Sequence, residues 1–292
     1  IQDQIDVTDN LIVLLGGRYD KFDVTVHDIK AIQDNPENAE NAENAENAEN
    51  AEKPTITSRV DTEFSPRFGL IYKPRNNVSV YYSYSESFSP RSGEQYKKLS
   101  KDDAKLKPDY YESSEVGIKF DLNKSLSLTS AYFESESEIA DYDGNSSEYI
   151  AERGLSVEGF ELELKGRVND NLNVAFSYSN IDGETADGGQ PREIPESTYS
   201  IWTNYDVNPK LGWALGVVHQ GESAVEDNNP TLLLPDYTRV DAAVYYELSN
   251  DIKLQLNLEN LSDEVYFPHS HSTHQVAVGE SRNVRFSLRK DF

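Results

Sequence analysis

The final segment of the sequence reads Val284-Arg285-Phe286-Ser287-Leu288-Arg289-Lys290-Asp291-Phe292. One set of alternate positions is apolar (Val284, Phe286, Leu288 and Phe292), and the other is polar or charged (Arg285, Ser287, Arg289 and Asp291). Successive side chains of a β-strand point to opposite faces, so this strand has one apolar and one polar face. In a water-soluble sheet the apolar face would pack on a core, whereas in a membrane barrel it would meet lipid.

The same alternation recurs along most of the chain, for example in segments 78–84, 160–168, 172–178, 240–248 and 252–258. About thirteen segments share it, and each approaches the ~9–11 residues that a tilted strand needs to cross a bilayer. No apolar run reaches the roughly 18 residues of a transmembrane helix. The sequence therefore predicts an all-β protein.

The connections alternate between short and long. Short ones rich in Asn, Asp, Pro and Ser, which favour turns, fall at 6–10, 73–77, 121–125, 169–171, 207–210 and 248–251. Long polar stretches lie between them, at 28–58, 89–109, 138–156, 182–197, 221–236 and 263–282. This rhythm predicts an antiparallel up-and-down transmembrane β-barrel with short periplasmic turns and long extracellular loops.

The composition excludes several classes of function. A net charge of −25 argues against binding to nucleic acid, whose phosphates need Lys and Arg. Cysteine is absent, which excludes disulfides, thiolate metal sites and a cysteine nucleophile. Methionine is absent too, even at position 1, and no signal peptide is present, so we interpret the sequence as a segment of a longer chain.

Tyrosine is frequent, with 18 residues. Its apolar ring and polar tip suit the membrane–water interface, although tyrosine also simply favours β-strands. The tyrosines near predicted strand ends, where an aromatic girdle would lie, are Tyr19, Tyr72, Tyr142, Tyr149, Tyr205, Tyr237 and Tyr266.

One tract differs from the rest of the chain. Residues 35–55 are dominated by a repeat of Glu, Asn and Ala, with high charge and no apolar spacing. Such a composition is typical of a solvated insertion, and it falls where a long loop is predicted.

The sequence offers no support for catalysis. It contains five histidines and no Gly-x-Ser-x-Gly motif. The paired carboxylates Glu161 and Glu163 alternate with apolar residues. We interpret them as polar residues of the barrel lumen, in ladders with Lys165 and Arg167. We therefore expect no enzymatic activity.

The only dense group of imidazoles is His269, His271 and His274, in the last long loop. Imidazoles at this density can bind zinc, copper or nickel. They could instead contact an iron chelate, or they could simply decorate a loop.

Seven pieces of the sequence, taken together, resemble a known family. They are FSPRFGLIYKP at 64–74, VYYSYSESF at 80–88, LKP at 106–108 with EVGIK at 115–119, VEGFELE at 157–163, LPDYTRVD at 234–241, LNLENLSDEVY at 256–266 and the terminal strand. The chain resembles the C-terminal part of the barrel of TonB-dependent outer-membrane receptors, especially ferric-siderophore receptors of the catecholate kind. Ser262 is a small departure, since family members often have Phe there.

The resemblance implies a 22-stranded parent barrel in the outer membrane of a Gram-negative bacterium, with an N-terminal plug domain and a TonB box. Neither of the last two is present, so residues 1–292 correspond to the C-terminal portion of the barrel. A partial barrel has open edges, so we expect this segment alone to be open and strongly curved, or unstable. The terminal Phe292 resembles the signal that the barrel assembly machinery reads.

The implied function is energy-coupled import of a ferric siderophore or similar metal chelate, with iron arriving as a chelate and no cofactor. Implied partners are the siderophore, outer-membrane lipid, and the TonB–ExbB–ExbD complex through the missing N-terminal region. A passive porin-like or adhesive barrel is the alternative, and a soluble secreted β-rich domain is a third hypothesis.

Ferric catecholates are anionic, so their binding sites should gather cations and aromatic residues. The candidates in the predicted extracellular loops are Arg91, Tyr96, Lys97, Lys98, Arg153 and Arg192, together with the three loop histidines. The neighbouring loops are acidic, which would instead suit a cationic or neutral chelate.

Overall fold

The structure is a computed structural model that describes residues 1–27, 56–90, 106–143, 148–249 and 251–291. For residues 140–143 and 148–153 only the backbone is described. Among these residues no helix is long and apolar enough to span a bilayer.

Thirteen strands form one antiparallel sheet. They are β1 (Gln2–Thr8), β2 (Leu11–His27), β3 (Ile56–Arg75), β4 (Val78–Ser89), β5 (Asp109–Asp121), β6 (Leu126–Asp143), β7 (Glu148–Arg167), β8 (Leu172–Glu184), β9 (Ser197–Asn208), β10 (Leu211–Gln220), β13 (Tyr237–Ser249), β14 (Ile252–Glu259) and β17 (Asn283–Lys290). Two short hairpins lie in the long connections: β11 (Ser223–Ala224) with β12 (Leu233–Leu234), and β15 (Ser270–Ser272) with β16 (Gln275–Val276).

Each of the thirteen strands pairs with its neighbour along the sheet, in the order in which they occur in the chain. The sheet is therefore an up-and-down meander, as the alternation of short and long connections predicts. Within the described residues β1 and β17 are edge strands, and the sheet does not close on itself. The prediction of a partial all-β barrel of about thirteen strands is confirmed.

The short turns form where the sequence predicts them, because asparagine side chains organise them locally. Asn169 Oδ1 accepts hydrogen bonds from the backbone N–H groups of Asn171 (2.9 Å) and Leu172 (3.0 Å). Asn208 Oδ1 accepts from Lys210 (2.9 Å) and Leu211 (3.1 Å) in the same way. Such side-chain-to-backbone bonds reproduce a backbone turn within three or four residues, so the signal is visible in sequence.

One predicted long loop is wrong. Residues 138–156 are mostly strand, since β6 continues to Asp143 and β7 begins at Glu148, with Glu138 opposite Arg153 and Tyr142 opposite Tyr149. These strands extend beyond the lipid-facing region, where both faces can be polar. The apolar alternation that marks a strand in lipid is therefore missing from the sequence.

The apolar face of the sheet, which we call the outer face, is not packed against any second layer of the described protein. Across the last two strands Leu254 lies opposite Leu288, and Leu256 lies opposite Phe286. Phe286 and Leu288 are 64% and 60% exposed, and Leu256 is 37% exposed. Burial of such a side chain stabilises a protein by roughly 1.5–3 kcal/mol, so a whole face of them needs an apolar environment. Lipid provides it.

A change in side-chain type marks the extracellular limit of the outer face. One row across neighbouring strands contains Tyr82, Val116, Tyr132 and Phe160, all partly exposed. The next two rows are dominated by carboxylates: Glu134, Glu158, Asp182, Glu86, Glu112, Glu136 and Glu184. Aromatic residues followed by charges are typical of a membrane–water interface.

The predicted aromatic girdle holds for some tyrosines and not for others. Tyr72 and Tyr205 lie near the short-turn rim, and Tyr205 packs on Trp213 with ring centroids 5.6 Å apart. The interpretation is wrong for Tyr266, which is buried, and for Tyr237, which packs on Tyr266 and donates to Gln220 Oε1 (3.3 Å). Both tyrosines lie on the inner side of the sheet, where their hydroxyls have protein partners.

Small hydroxyl side chains line much of the inner face of β5, β6, β8 and β9. Ser135 donates to Ser113 (2.9 Å), and the hydroxyls of Ser177 and Ser200 are 2.7 Å apart. These cross-strand pairs satisfy polar groups on a face that does not contact lipid. The lumen is therefore polar, as the sequence predicts.

Adjacent residues of β14 allow a direct test of which face meets lipid. We expect Leu256→Arg to destabilise the full-length receptor in phospholipid vesicles by about 2–4 kcal/mol, because the charge enters hydrocarbon. Gln255→Arg, one position along and facing the lumen, should cost less than about 1 kcal/mol. Denaturant unfolding in vesicles measures both, and equal destabilisation would contradict the assignment of faces.

Candidate ligand-binding face

Three long connections, at 185–196, 221–236 and 260–282, lie together at the extracellular end of β8 to β17. Their contact region contains five deeply buried residues, Ser223, Ala224, Val225, Leu234 and Ser270, which are at most 3% exposed. We call these five residues the loop core. Loops with a shared core hold their side chains in fixed positions, which is what a binding face requires.

Hydrogen bonds join the three connections to one another. Glu193 N donates to Ala224 O (3.0 Å), and Asn228 N donates to Gln190 O (2.9 Å). Ser270 Oγ donates to Val225 O (3.1 Å), and Ser270 N donates to the Glu193 carboxylate. Because these bonds run between different loops, the connections form one body and not three independent flaps.

Arg192 has a structural role in this body. Its backbone N–H donates to Asp227 Oδ1 (2.7 Å), and its guanidinium donates to His271 O. Arg192, which the sequence predicts to contact ligand, lies beside the loop that carries the histidines. One N–H group of the Arg192 guanidinium is therefore already bonded to that loop.

The last connection is anchored at its start by Asn260, which is 1% exposed. Its side chain donates to Glu264 O (2.9 Å) and Glu280 O (3.0 Å) and accepts from Glu264 N (2.9 Å). Its backbone N–H donates to Asp241 Oδ1 (2.8 Å), and its φ of 52° is in the left-handed region that asparagine tolerates. One side chain therefore ties both ends of the loop to the barrel.

Arg239, Asp241 and Tyr266 complete this anchor on the inner side. Arg239 Nε and Nη2 both donate to one oxygen, Asp241 Oδ2 (3.2 and 2.9 Å), and Nη1 donates to Tyr266 Oη (3.1 Å). The Tyr266 ring lies against Gly279, where an added Cβ would fall 2.2 Å from Tyr266 Cζ. Only glycine permits this approach, so the ring fixes the return of the loop toward β17.

A second polar cluster lies at the extracellular end of β3. Arg59 and Asp61 form a buried ion pair at 2.5 Å, and Arg59 also donates to Leu106 O. Tyr110 Oη donates to Glu63 Oε1 (2.8 Å). Burial, together with this bond to Glu63, raises the pKa of Tyr110 to about 12. The Tyr110 hydroxyl is the donor of this bond, and the carboxylate of Glu63 is the acceptor.

The described residues include only some of the predicted site residues. Arg91, Tyr96, Lys97, Lys98 and Phe292 lie outside them, as do residues 35–55, and Arg153 is described only in its backbone, opposite Glu138. Arg192 and the three histidines are described and lie in the same body of loops. Among the described residues, no group of three or more His, Asp or Glu is placed to hold one metal ion.

Several residues that organise this face gave no signal in the sequence analysis. Glu193 and Ser270 are 77 positions apart, and neither lies in a pattern that predicts a contact. In the sequence, Asn260 belongs to one of the family-like segments, at 256–266. Its place directly after the alternating residues of β14, followed by Ser262-Asp263, is typical of a turn, and that local feature could have identified it.

These features define a class of protein. An antiparallel meander that is apolar outside and polar inside, with short turns at one rim and structured loops at the other, is the wall of an outer-membrane β-barrel. Residues 1–261 match the family described as "TonB dependent receptor-like, beta-barrel". The chain belongs to this family of outer-membrane transport receptors, and it supplies part of the barrel.

Relatives in the family are siderophore receptors. The chain is 27% identical over 306 residues to the "Probable TonB-dependent siderophore receptor PiuA" of Acinetobacter baumannii, covering 97% of this chain and 38% of that protein. It is 30% identical over 251 residues to the "Ferrioxamine receptor" of Yersinia enterocolitica, covering 80% of this chain and 34% of that one. The chain thus spans about two-fifths of the length of these relatives or less.

Solved structures agree. The crystal structure of PiuA superimposes with a TM-score of 0.82 at 25% identity, covering 99% of this chain and 42% of PiuA. The closed form of the ferric-catecholate import receptor Fiu of Escherichia coli K12 gives a TM-score of 0.77 at 20% identity, covering 100% of this chain and 44% of Fiu. The second likeness concerns the fold alone.

The role of Asn260 can be tested by a single substitution. We expect Asn260→Ala to destabilise the anchor by about 3 kcal/mol, because it removes three hydrogen bonds of roughly 1 kcal/mol each between the Asn260 side chain and the backbone of Glu264 and Glu280. Loop 260–282 of the full-length receptor should then be cut by trypsin at Arg282 at least tenfold faster. Asn257→Ala is the control, since Asn257 lies three residues earlier, accepts a side-chain hydrogen bond from Gln255 (2.8 Å) and leaves the scissile bond unaltered. Equal cleavage rates for the two variants would rule out the anchor.

Proposed function

We propose that the receptor to which this chain belongs imports a ferric siderophore or similar metal chelate across the outer membrane, driven by TonB. The observation that carries the proposal is the combination of a lipid-facing barrel wall with family membership among siderophore receptors. The relatives' names refer to siderophores, ferrioxamine and ferrichrome, and these chelates are the basis for the proposed substrate class.

Import of this kind needs binding and not bond chemistry. A scarce chelate must be captured from dilute solution, so the extracellular loops and upper lumen have to present fixed polar groups. The loop core and the Asn260 anchor provide such a scaffold. Iron is then substrate and not cofactor, and the proposal requires no catalytic residue.

We assign ligand contact to the cationic and aromatic residues of the extracellular loops: Arg91, Tyr96, Lys97, Lys98, Arg153, Arg192, His269, His271 and His274. The physical support is that anionic chelates are held by charge-assisted hydrogen bonds and by a positive field. Among the arginines and lysines of this set, Arg192 is the one whose side chain is described, and its guanidinium donates to His271 O in the loop that carries the histidines.

The remaining partners belong to the whole protein. We propose that residues 1–292 are the C-terminal portion of the parent barrel, with 35–55 as a loop insertion, and that an N-terminal plug and TonB box couple it to TonB–ExbB–ExbD. Phe292 is then the residue read by the barrel assembly machinery, and lipid covers the outer face.

Energy coupling separates this proposal from a passive barrel. Cells that produce the full-length receptor under iron limitation should accumulate ⁵⁵Fe supplied as a ferric siderophore, and deletion of TonB should reduce the uptake to background. Binding of the same chelate at the cell surface should persist without TonB, because binding precedes transport. Uptake that is unchanged after loss of TonB would favour the porin-like alternative.

The charge of the loops should determine which chelate binds. We expect the double substitution Lys97→Glu and Lys98→Glu to weaken binding of an anionic ferric tris-catecholate at least tenfold, since each charged contact contributes about 1.5–3 kcal/mol. Binding of a neutral ferric hydroxamate should change less than about twofold. Lys124→Glu, at the short-turn rim, is the charge-matched control. An equal effect of the control would exclude a local contact.

A further inference from the structure

The hairpin formed by β15 and β16 presents histidines from a rigid base. Ser270 is buried and bonded to Val225 O and to the Glu193 carboxylate, while Arg192 donates to His271 O. Ala277 N donates to His269 O (2.9 Å) and closes the hairpin. These bonds fix the backbone that carries the imidazoles, so their relative positions are set before any ligand arrives.

Two of the three imidazoles lie close together. The ring centroids of His271 and His274 are 6.3 Å apart, with an interplanar angle of 73°. An imidazole nitrogen lies ~2.0–2.1 Å from a bound ion, which places each ring centroid about 3.2 Å from it. Two rings on one ion are therefore separated by about 6.4 Å when their nitrogens lie on opposite sides of the ion, and the observed 6.3 Å fits a single ion in this trans arrangement, as in a square-planar site.

Ser272 orients the second ring. Its Oγ lies 2.7 Å from His274 Nδ1 and 3.3 Å from Nε2. Histidines that bind metal usually hold a hydrogen-bond partner at the other ring nitrogen, which sets the tautomer and the ring direction. The Ser272 hydroxyl is closer to Nδ1, and Nε2 of His274 can bind an ion once that hydroxyl bonds to Nδ1 alone.

We propose that His271 and His274 form a two-imidazole site for a borderline divalent metal ion, with Cu²⁺ bound most tightly, then Ni²⁺ or Zn²⁺. Imidazole nitrogen suits these ions, whereas Ca²⁺ and Mg²⁺ require oxygen ligands. Water completes the coordination, because no third His, Asp or Glu among the described residues is placed to join the pair. Both imidazoles are also proposed to contact the chelate, and the free ion is a second ligand that binds them in the absence of a siderophore.

Direct metal titration tests the proposal. The full-length receptor is purified in detergent with a tag that contains no histidine, and Cu²⁺ is titrated by calorimetry, with electron paramagnetic resonance of the bound ion. We expect one Cu²⁺ per receptor with a Kd on the order of micromolar, and nitrogen hyperfine structure from two imidazoles. His271→Ala and His274→Ala should each weaken binding at least about tenfold.

Two controls define the site. His269→Ala removes an exposed imidazole of the same loop, and His219→Ala removes one that stacks on Tyr199 elsewhere on the barrel. Both should bind Cu²⁺ within about twofold of the unaltered receptor. Unchanged binding in the His271→Ala/His274→Ala double variant would overturn the proposal. So would a loss in His269→Ala equal to that in His271→Ala. Since no chelate is present, neither result bears on siderophore import.

Discussion

Contact between the outer face and lipid is the constraint on which the rest of the structure depends. Hydrocarbon offers no partner for a backbone N–H or C=O, and each unpaired group costs several kcal/mol. A meander in which every strand pairs with its neighbours removes that cost everywhere except at the two edge strands. The same constraint explains why Leu256 and Phe286 face outward while Gln255 and Ser287 face the lumen, since one register determines both.

Beyond the lipid this constraint ends, and other interactions organise the chain. The outer face changes from the Tyr132 row to carboxylates such as Glu134 and Glu158 within one step along the strands. The extracellular connections then have to build a core of their own, and they do so with small side chains around Ala224 and Ser270. A rigid face on a rigid wall leaves the binding residues preorganised, which lowers the entropic cost of capturing a dilute ligand.

The sequence predicts the barrel well, because its rules are local. Period-two alternation identifies the strands, and asparagines such as Asn169 and Asn208 identify the turns that they cap. The extension of β6 and β7 through 138–156 was not predicted, because strands outside lipid need no apolar face. The loop core was not predicted either, since the bond between Glu193 and Ser270 joins positions 77 residues apart. The histidine group was visible in sequence, but its hairpin geometry depends on those distant contacts.

Site-directed spin labelling tests the central claim most directly, because residues 1–292 contain no cysteine and a cysteine introduced there is the only one in this part of the receptor. Labels at Leu254, Leu256, Phe286 and Leu288 of the full-length receptor in vesicles should collide with dissolved oxygen and be protected from a polar paramagnetic nickel complex. Labels at Gln255 and Ser287 should show the opposite preference. The contrary result is that labels at the four apolar positions are immobile and inaccessible to both reagents. Such labels would be buried in a protein core that covers the outer face, and this would contradict the account.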